Sequence, residues 1–480
     1  MYKKIEFIKK DKIQWVLIFL IITLAAFFIR FYLFENRNSW HDEWHSIYVA
    51  DPNISNEITL KRFWGEKGEE TLTEYYPPLY LFVLKYFFKL FGYLDDNGRL
   101  FSLIFGTLSV SLSMYLTTYF DSSKKNVIIV GLLTAVNLFL IWQSLEIRAH
   151  SIVVFSVLLN LCFFFEILRS ESKLKFFFFY IISVFNLSLW PISGLIFIGK
   201  VIYMTKEMLI SKKILYYKLI TFFFILVTYI ILNLDYLKFN LARDFHYTHI
   251  SNTFFYNYHF RTFFGTIFNG GIFLLVFGIL LIKSLKNVLY LNNKENILIY
   301  IILSTYLMTM VYSAFKASIM SPKYVIFLVP IIIIWIVIKI SRLKYSKFIL
   351  IIISVLSIFN LLNISGYPMK RPEVKNALNF IVKDEGDNLV YSIEPTVFNN
   401  YLSTKKLFKY NNFKFVNPNE LISKDQFWFI CLNNPRYAYG NNSLELNVRC
   451  KVLKNNKNFE QLIEKKFPDL ILIKYKKLSK

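Results

Sequence analysis

Residues 14–45 are QWVLIFLIITLAAFFIRFYLFENRNSWHDEWH, an apolar run that passes directly into a polar stretch with two adjacent acids, Asp42 and Glu43. At about 1.5 Å per helical residue, the run over 14–34 is long enough to cross a bilayer core of roughly 30 Å. The acids therefore lie at a membrane face. Ionisable groups at that position are candidates for function, although a solvated acidic loop gives the same pattern.

The composition of the whole chain is that of a polytopic membrane protein. Of its 480 residues, 55% are hydrophobic and 19% are aromatic, and the mean hydropathy is +0.42. The net charge of +24 comes from Lys and Arg clusters between apolar runs, a positive-inside pattern that does not indicate nucleic-acid binding. We expect a multi-pass protein of the cell inner (plasma) membrane, with membrane lipid and no nucleic acid among its partners.

Twelve apolar runs are candidates for spans: 14–34, 77–91, 98–119, 125–142, 149–168, 175–189, 192–206, 214–234, 263–282, 297–314, 323–340 and 346–364. If all of them crossed, the later basic connectors would lie on the wrong side of the membrane. The run at 77–91 begins with Pro77-Pro78 and carries Lys85 and Lys89 on one helical face, which is typical of an interfacial helix. Without it, the sequence predicts about eleven spans, a cytoplasmic amino terminus and an extracytoplasmic carboxyl terminus.

This topology divides the chain into two predicted domains. Residues 1–364 form a transmembrane α-helical module, in which 35–97 is a long first outer loop with interfacial helices and 235–262 is an outer aromatic loop. Residues 365–480 are polar, with strand-like runs at 388–393, 426–431 and 469–473 and a helical pattern at 371–383. We expect an extracytoplasmic α/β domain there. A disulfide between Cys431 and Cys450 requires that location.

The acid pair is the first candidate for chemistry. A carboxylate at the membrane surface can act as a general base toward a hydroxyl or an amine, and an adjacent acid can raise its pKa or hold it in place. A divalent metal ion bound by His41, Glu43 and His45 is a second hypothesis. The order of these residues is not the His-Glu-x-x-His pattern of zinc proteases.

Basic residues on the outer segments form a second set. Arg148, in the run Glu146-Ile147-Arg148-Ala149-His150-Ser151, lies at the mouth of a span and needs an anionic partner, either the acid pair or a phosphate. Lys316 and Lys323 lie on a short outer loop against the positive-inside rule, which favours a role as anion ligands. Arg99 either contacts a lipid phosphate or only sets the topology. Arg243 and His246 of the aromatic loop are further candidates.

The ordered motifs resemble those of the GT-C membrane glycosyltransferases, in the branch of protein O-mannosyltransferases and lipid A aminoarabinose transferases. They are Trp40-x-Asp42-Glu43, Pro77-Pro78-Leu79-Tyr80, Gly92, Arg99-Leu100-x-Ser102, Arg148-x-His150-Ser151 and Pro322-Lys323-Tyr324. The resemblance runs over residues 1–340. It implies a GT-C fold and inverting transfer of a sugar from a polyprenyl-phosphate carrier to a glycan, lipid or protein acceptor on the outer face.

The resemblance also implies roles for individual residues. Asp42 matches the catalytic base, and Glu43 matches the neighbouring acid. The candidates for binding the donor phosphate are Arg99, Arg148, Lys316, Lys323 and Tyr324. The sequence departs from the family at His150, where a tyrosine is usual, and at Tyr76, where the aminoarabinose transferases have a lysine. The candidates for binding substrate are Tyr76, His150, Arg243 and His246.

Two other functions fit an outer-facing polytopic protein. A flippase or other transporter of lipid-linked sugars predicts charges inside spans, broken helices and internal repeats. The sequence shows few such features, and Glu166 lies near the inner end of its span. An oligosaccharide polymerase or ligase shares the topology, and the acid pair and attached domain do not distinguish it from the transferase.

Overall fold

The structure, a computed structural model of the chain, describes a set of ranges separated by gaps. They are 12–34, 41–64, 76–170, 172–211, 216–242, 253–288, 294–315, 319–362, 374–383, 389–392, 414–415, 425–432, 458–467 and 470–478. The chain divides into two compact units. One comprises 1–34, 63–84 and 99–367, and the other comprises 35–62, 85–98 and 368–480.

Most of the described chain is α-helical. The helices are α1 (Lys12–Phe34), α2 (His41–Val49), α3 (Asn56–Trp64), α4 (Leu79–Phe91), α5 (Asp95–Thr118), α6 (Lys124–Ala135), α7 (Leu138–Ser144), α8 (His150–Arg169), α9 (Lys173–Leu189), α10 (Leu195–Ser211), α11 (Tyr216–Leu232), α12 (Leu234–Ala242), α13 (Arg261–Phe264), α14 (Ile267–Val288), α15 (Asn296–Phe315), α16 (Leu328–Ser341), α17 (Ser346–Leu362) and α18 (Val374–Val382). Short 3-10 helices cover Pro191–Gly194 and Pro322–Val325, and a π-helix covers Phe254–Phe260.

Each of the eleven predicted spans coincides with a helix or a pair of helices. Among the described residues, α1, α5, α8, α14 and α15 contain segments long and apolar enough to cross a membrane. Helices α6 and α7 add a sixth if the pair, bent by 57°, is one broken span. Helices α11, α16 and α17 contain shorter apolar segments, and α4 does not meet the criteria for a span. The total of eleven spans therefore stays a prediction.

The burial of the helices matches a bundle that is surrounded by lipid. Helix α1 exposes apolar side chains such as Val16 and Phe28 and buries only Ile22, Ala26 and Arg30. Helix α16 buries almost every side chain. A helix that is apolar and buried all round lies inside a bundle, whereas the apolar surface of α1 requires a lipid environment. The apolar helices therefore indicate an integral membrane protein.

Two fully buried basic residues lie inside helices of the bundle. The Arg30 guanidinium in α1 donates from Nη1 to the carbonyl oxygens of Ala26 (3.1 Å) and Ala135 (3.2 Å). The Lys200 ammonium in α10 donates to Asn160 Oδ1, and the Asn160 amide donates to Ser183 Oγ (2.6 Å). The sequence pattern did not indicate either of these residues. Backbone carbonyl oxygens accept from Arg30 Nη1 and an amide oxygen accepts from Lys200, whereas Arg30 Nε and Nη2 have no hydrogen-bond partner among the described residues.

The segment predicted as an outer aromatic loop is largely helical where it is described. Helix α12, the π-helix Phe254–Phe260 and α13 occupy most of it, and residues 243–252 lie outside the described ranges. His259 is fully buried, and its Nε2 lies 2.9 Å from the Tyr306 hydroxyl oxygen. Its ring centroid lies 4.3 Å from that of Phe263. The aromatic side chains pack here because burying their large apolar surface is favourable.

The carboxyl-terminal region contains a five-stranded sheet in the order β2-β1-β3-β5-β4. The strands are β1 (Leu389–Ser392), β2 (Lys414–Phe415), β3 (Gln426–Leu432), β4 (Phe459–Phe467) and β5 (Leu470–Lys477). Strand β1 pairs in parallel with β2 and β3, and β5 pairs antiparallel with β3 and β4. Phe427, Phe429 and Cys431 alternate along β3 and pack with Ile473 and Tyr475 of β5.

The sequence pattern located three of these strands and the helix α18, but it missed β2 and β4. Strand β4 is rich in Glu and Lys, and most of its side chains are at the surface, so it lacks the apolar alternation that marks a half-buried strand.

Cys431 forms a disulfide bond, and the buried Cys162 in α8 is a free thiol. The division at residue 364 stays a prediction.

Candidate functional site

The segment between α7 and α8 forms a tight, buried turn that carries two of the predicted site residues. The Trp142 indole N–H donates to Glu146 Oε1 at 2.5 Å, and the Ser151 hydroxyl donates to the Gln143 carbonyl at 3.0 Å. These bonds join the end of α7 to the start of α8. They fix the backbone that places Arg148 just before α8 and His150 at its first residue.

Arg148 lies against an aromatic side chain that comes from a different part of the sequence. Its guanidinium carbon is 5.5 Å from the centroid of the Tyr76 ring, a distance typical of a cation–π contact. Both residues are buried, Arg148 at 8% exposure and Tyr76 at 1%. The Tyr76 ring also packs against Tyr80 in α4, with the centroids 5.8 Å apart.

Trp190, at the turn between α9 and α10, contacts three of the predicted residues. Its ring centroid is 5.3 Å from that of Tyr76, 5.5 Å from that of His150 and 5.9 Å from that of Tyr324. Its indole N–H donates to the Tyr324 carbonyl at 2.9 Å. Tyr324 lies in the 3-10 helix Pro322–Val325, next to Lys323. We call Tyr76, Arg148, His150, Trp190 and Tyr324 the aromatic–arginine cluster.

The aromatic–arginine cluster is suited to binding an anion. The guanidinium of Arg148 is always charged and presents N–H donors in a planar fork that matches phosphate and carboxylate oxygens. The Lys323 ammonium lies 5.5 Å from the Tyr324 ring centroid, so a second cation adjoins the cluster. Because burial lowers the local dielectric, the attraction of these cations for an anion exceeds that of exposed cations. Arg99 is also buried, near the start of α5.

The acid pair lies in the first turn of α2, in the second compact unit. Asp42 is partly buried, and Glu43 is fully buried. The Asp42 carbonyl accepts a hydrogen bond from the Ser46 hydroxyl at 3.1 Å. Negative charge is favourable at a helix amino terminus because the backbone N–H groups point toward it. Of the two acidic residues, Asp42 is the one that retains some exposed surface.

Contacts within the same unit hold helix α2. Arg62 donates to the Tyr48 carbonyl at 2.7 Å and lies 3.6 Å from an Asp51 carboxylate oxygen. The Tyr93 hydroxyl donates to the Ile47 carbonyl at 2.9 Å, and burial raises the pKa of Tyr93. These bonds satisfy the carbonyl groups at the end of α2, so the helix that carries the acid pair has a fixed carboxyl terminus.

Lys85 in α4 connects to the segment that follows α2. Its ammonium donates to the Ile54 carbonyl (2.8 Å), Asn56 Oδ1 (3.0 Å) and Thr59 Oγ1 (2.9 Å). It is 5% exposed, and burial lowers the pKa of Lys85. Lys85 and Lys89 lie four residues apart in α4, as predicted, but they differ in exposure. Three protein oxygens replace water around Lys85, whereas Lys89 is exposed.

Lys85→Met is expected to lower the free energy of unfolding by about 2–3 kcal/mol, because it removes charge-assisted hydrogen bonds from three oxygens that stay in place. The measurement is a thermal melt in detergent together with limited proteolysis of the segment that contains α2 and α3. Lys89→Met, four residues later on the same helix, is the matched control and should leave both measurements unchanged. Equal melting temperatures for the two variants would contradict a structural role for Lys85.

Some of the predicted site residues lie outside the described part of the chain. These are Lys316, Arg243 and His246, together with the side chain of His41. Among the residues that the structure describes, no group of three or more His, Cys, Asp or Glu side chains is placed to hold a metal ion. The hypothesis of a divalent ion at His41, Glu43 and His45 therefore gains no support from those residues.

Trp190 was not among the site residues predicted from the sequence. The available signal was an aromatic residue before a proline between two predicted spans, a position that tryptophan often takes at membrane interfaces for other reasons. Its contact with Tyr324, 134 residues later, has no counterpart in the local pattern.

The chain matches no protein-family model and no curated protein sequence. Its fold is nevertheless shared with solved structures. A crystal structure of ArnT from Cupriavidus metallidurans bound to undecaprenyl phosphate has a TM-score of 0.58 and 11% identity, covering 96% of this chain and 98% of that one. The apo state of the same protein has a TM-score of 0.57 and 10% identity, covering 97% and 98%. The predicted GT-C fold, of the kind found in ArnT, is therefore confirmed over nearly the whole chain.

Proposed function

We propose that the protein is an inverting glycosyltransferase that moves a sugar from a polyprenyl-phosphate carrier to an acceptor on the extracytoplasmic face of the inner membrane. The observation that carries the proposal is the aromatic–arginine cluster, in which a buried arginine and three aromatic side chains from separate segments meet next to Lys323. The fold supports it, because an ArnT structure with this fold binds undecaprenyl phosphate.

The chemistry requires a base for the acceptor and positive charge for the leaving group. Asp42 takes the proton from the acceptor hydroxyl or amine as the acceptor atom attacks the anomeric carbon from the face opposite the phosphate. The bond between that carbon and the phosphate oxygen breaks, and its electrons stay on the lipid phosphate. Arg148 and Lys323 stabilise the added negative charge. The leaving group is already anionic, so the reaction needs no strong general acid.

The remaining candidates take supporting roles in this proposal. Arg99 and Lys316 add positive charge for the donor phosphate, and Tyr324 belongs to the same phosphate site. Tyr76, His150, Arg243 and His246 contact the substrate. Glu43, which follows Asp42 in the sequence and is fully buried, holds the base in place.

An extracytoplasmic carboxyl-terminal domain is part of the proposal, and the disulfide at Cys431 supports it, because disulfides persist in oxidising compartments. In denatured protein that has not been reduced, we expect a maleimide to label one of the three cysteines, Cys162, and to label all three after reduction. Expression in cells that lack periplasmic disulfide oxidation should give three labels without reduction. Three labels in protein from normal cells would place the domain in the cytoplasm.

The proposal as a whole is tested by supplying purified protein with a panel of radiolabelled polyprenyl-phosphate sugars and a membrane extract as the acceptor source. We expect label to move from at least one carrier to an acceptor, and nucleotide sugars to be inactive. If protein in vesicles moves labelled lipid between leaflets and never transfers the sugar, the transporter hypothesis replaces this one. Formation of long glycan chains from lipid-linked repeats would instead support the polymerase hypothesis.

A further inference from the structure

The turn that carries Trp190 is held by hydrogen bonds on both sides of the residue. The Trp190 N–H donates to the Asn186 carbonyl at 3.0 Å. The Trp190 carbonyl accepts from the N–H and the hydroxyl of Ser193, at 2.9 and 2.6 Å. The Asn186 side chain in turn accepts from the Ser156 hydroxyl of α8 at 2.8 Å. The indole of Trp190 therefore projects from a backbone that α8, α9 and the 3-10 helix Pro191–Gly194 hold together.

The segment that receives the indole hydrogen bond is short. The 3-10 helix Pro322–Val325 has Pro322 at its first position, and the Tyr324 N–H donates to the Ser321 carbonyl at 3.0 Å. Lys323 is the basic residue of this turn, and its side chain is only partly buried. Its backbone carbonyl is bonded covalently to the Tyr324 nitrogen, so a contact that holds Tyr324 also restrains the backbone from which the Lys323 side chain extends.

We propose that Trp190 is a positioning residue for the phosphate of the lipid-linked donor. Its indole N–H holds the turn at Tyr324 in the register that presents the Lys323 ammonium to the phosphate, while its ring supports Tyr76 and, through it, Arg148. This inference rests on the proposed function in one respect, the assignment of Lys323 as a phosphate ligand. The role of Trp190 is indirect, since its indole N–H is committed to the Tyr324 carbonyl.

The variant Trp190→Phe tests the proposal, because it keeps an aromatic ring and removes the N–H donor. Losing one hydrogen bond of ordinary strength should raise the Kd for undecaprenyl phosphate by about 5- to 10-fold. In the transfer assay, KM for the donor should rise by a similar factor, and kcat should change by less than about twofold. The control is Trp335→Phe, since among the described residues the buried indole N–H of Trp335 has no hydrogen-bond partner.

The decisive measurement is a double-mutant cycle with Lys323→Met, read as the Kd for undecaprenyl phosphate. If Trp190 acts by positioning Lys323, Trp190→Phe should weaken binding by less than about twofold once Lys323 is already methionine. An equal loss in both backgrounds would overturn the positioning role and leave only a general structural one. Unchanged affinity for Lys323→Met alone would also overturn it, because there would be no phosphate ligand to position.

A second substitution distinguishes the loss of the N–H donor from a folding defect in the phenylalanine variant. Trp190→3-benzothienylalanine, introduced by codon reassignment, keeps the bicyclic shape and replaces the N–H by sulfur. It should reproduce the loss of undecaprenyl phosphate binding with an unchanged melting temperature, and wild-type affinity would overturn the proposal. Binding is measured without transfer, so a protein that binds the lipid but transfers no sugar contradicts the proposed function and leaves the positioning result intact.

Discussion

Asp42→Asn is expected to lower kcat for sugar transfer by about 10²- to 10⁴-fold, the range typical of losing a general base. Asparagine has nearly the same shape as aspartate, so α2 and its contacts should persist, but its amide cannot take a proton from the acceptor. Because the base does not bind the carrier in this mechanism, the Kd for undecaprenyl phosphate should change by less than about twofold. The measurement is steady-state transfer from the active radiolabelled donor.

The controls for Asp42 separate a specific loss from a general loss of charge. Asp235→Asn removes an exposed carboxylate in the first turn of α12 and should leave kcat unchanged. Glu43→Gln should lower kcat by less than Asp42→Asn does, because Glu43 is fully buried and acts through its neighbour. Transfer by Asp42→Asn at the wild-type rate would refute the assignment of the base.

Arg148→Ala is expected to lower kcat/KM by about 10²- to 10³-fold, comparable with removing one preorganised donor from a site that stabilises developing negative charge. The Arg148 guanidinium carbon lies 5.5 Å from the Tyr76 ring centroid, and a guanidinium binds phosphate through hydrogen bonds from its N–H groups. Arg148→Lys keeps the charge and loses the planar fork, so its kcat/KM should lie between those of wild type and the alanine variant. The Kd for undecaprenyl phosphate should rise in the same order.

Arg342→Ala is the matched control for Arg148. Arg342 pairs with Glu295 at 2.5 Å and is about half exposed, so its loss tests whether removing any arginine impairs the enzyme. Its kcat/KM should remain within about twofold of wild type. Elution profiles and thermal melts of all three arginine variants show whether they fold. A folded Arg148→Ala variant with wild-type kcat/KM would remove Arg148 from the phosphate site.

The helices and part of the site could be predicted because their signals are local. Apolar runs located the helices. Lys323 became a candidate because it is a basic residue on a predicted outer loop, which the positive-inside rule disfavours. The position of Arg148 at the mouth of a span marked it as a candidate in the same way. The structure places Tyr76, His150 and Tyr324 around Trp190, and Arg148 lies against Tyr76. Motifs far apart in the chain came together because each lies at the end of a helix.

The features that escaped prediction depend on contacts between distant segments. The sequence around Lys85 is typical of a surface lysine, but in the structure its ammonium donates to oxygens of Ile54, Asn56 and Thr59. Arg30 lies within an apolar run, and its acceptor at Ala135 is 105 residues away. Residues 136–137, where the chain bends between α6 and α7, include no proline or glycine that would have predicted the bend. A sequence pattern specifies which side chains are apolar, but not which helix will supply the partner for a polar group.

The Trp190–Tyr324 hydrogen bond gives the candidate site an order of assembly during biosynthesis. The Ser156–Asn186 and Asn160–Lys200 bonds join residues 30 and 40 positions apart, so they can form as soon as α8, α9 and α10 have entered the membrane. The indole N–H must wait for an acceptor made 134 residues later. A nascent chain stalled before that point has inserted helices but lacks the proposed phosphate site. If that proposal is right, the chain acquires affinity for the lipid carrier only after Tyr324 has been made.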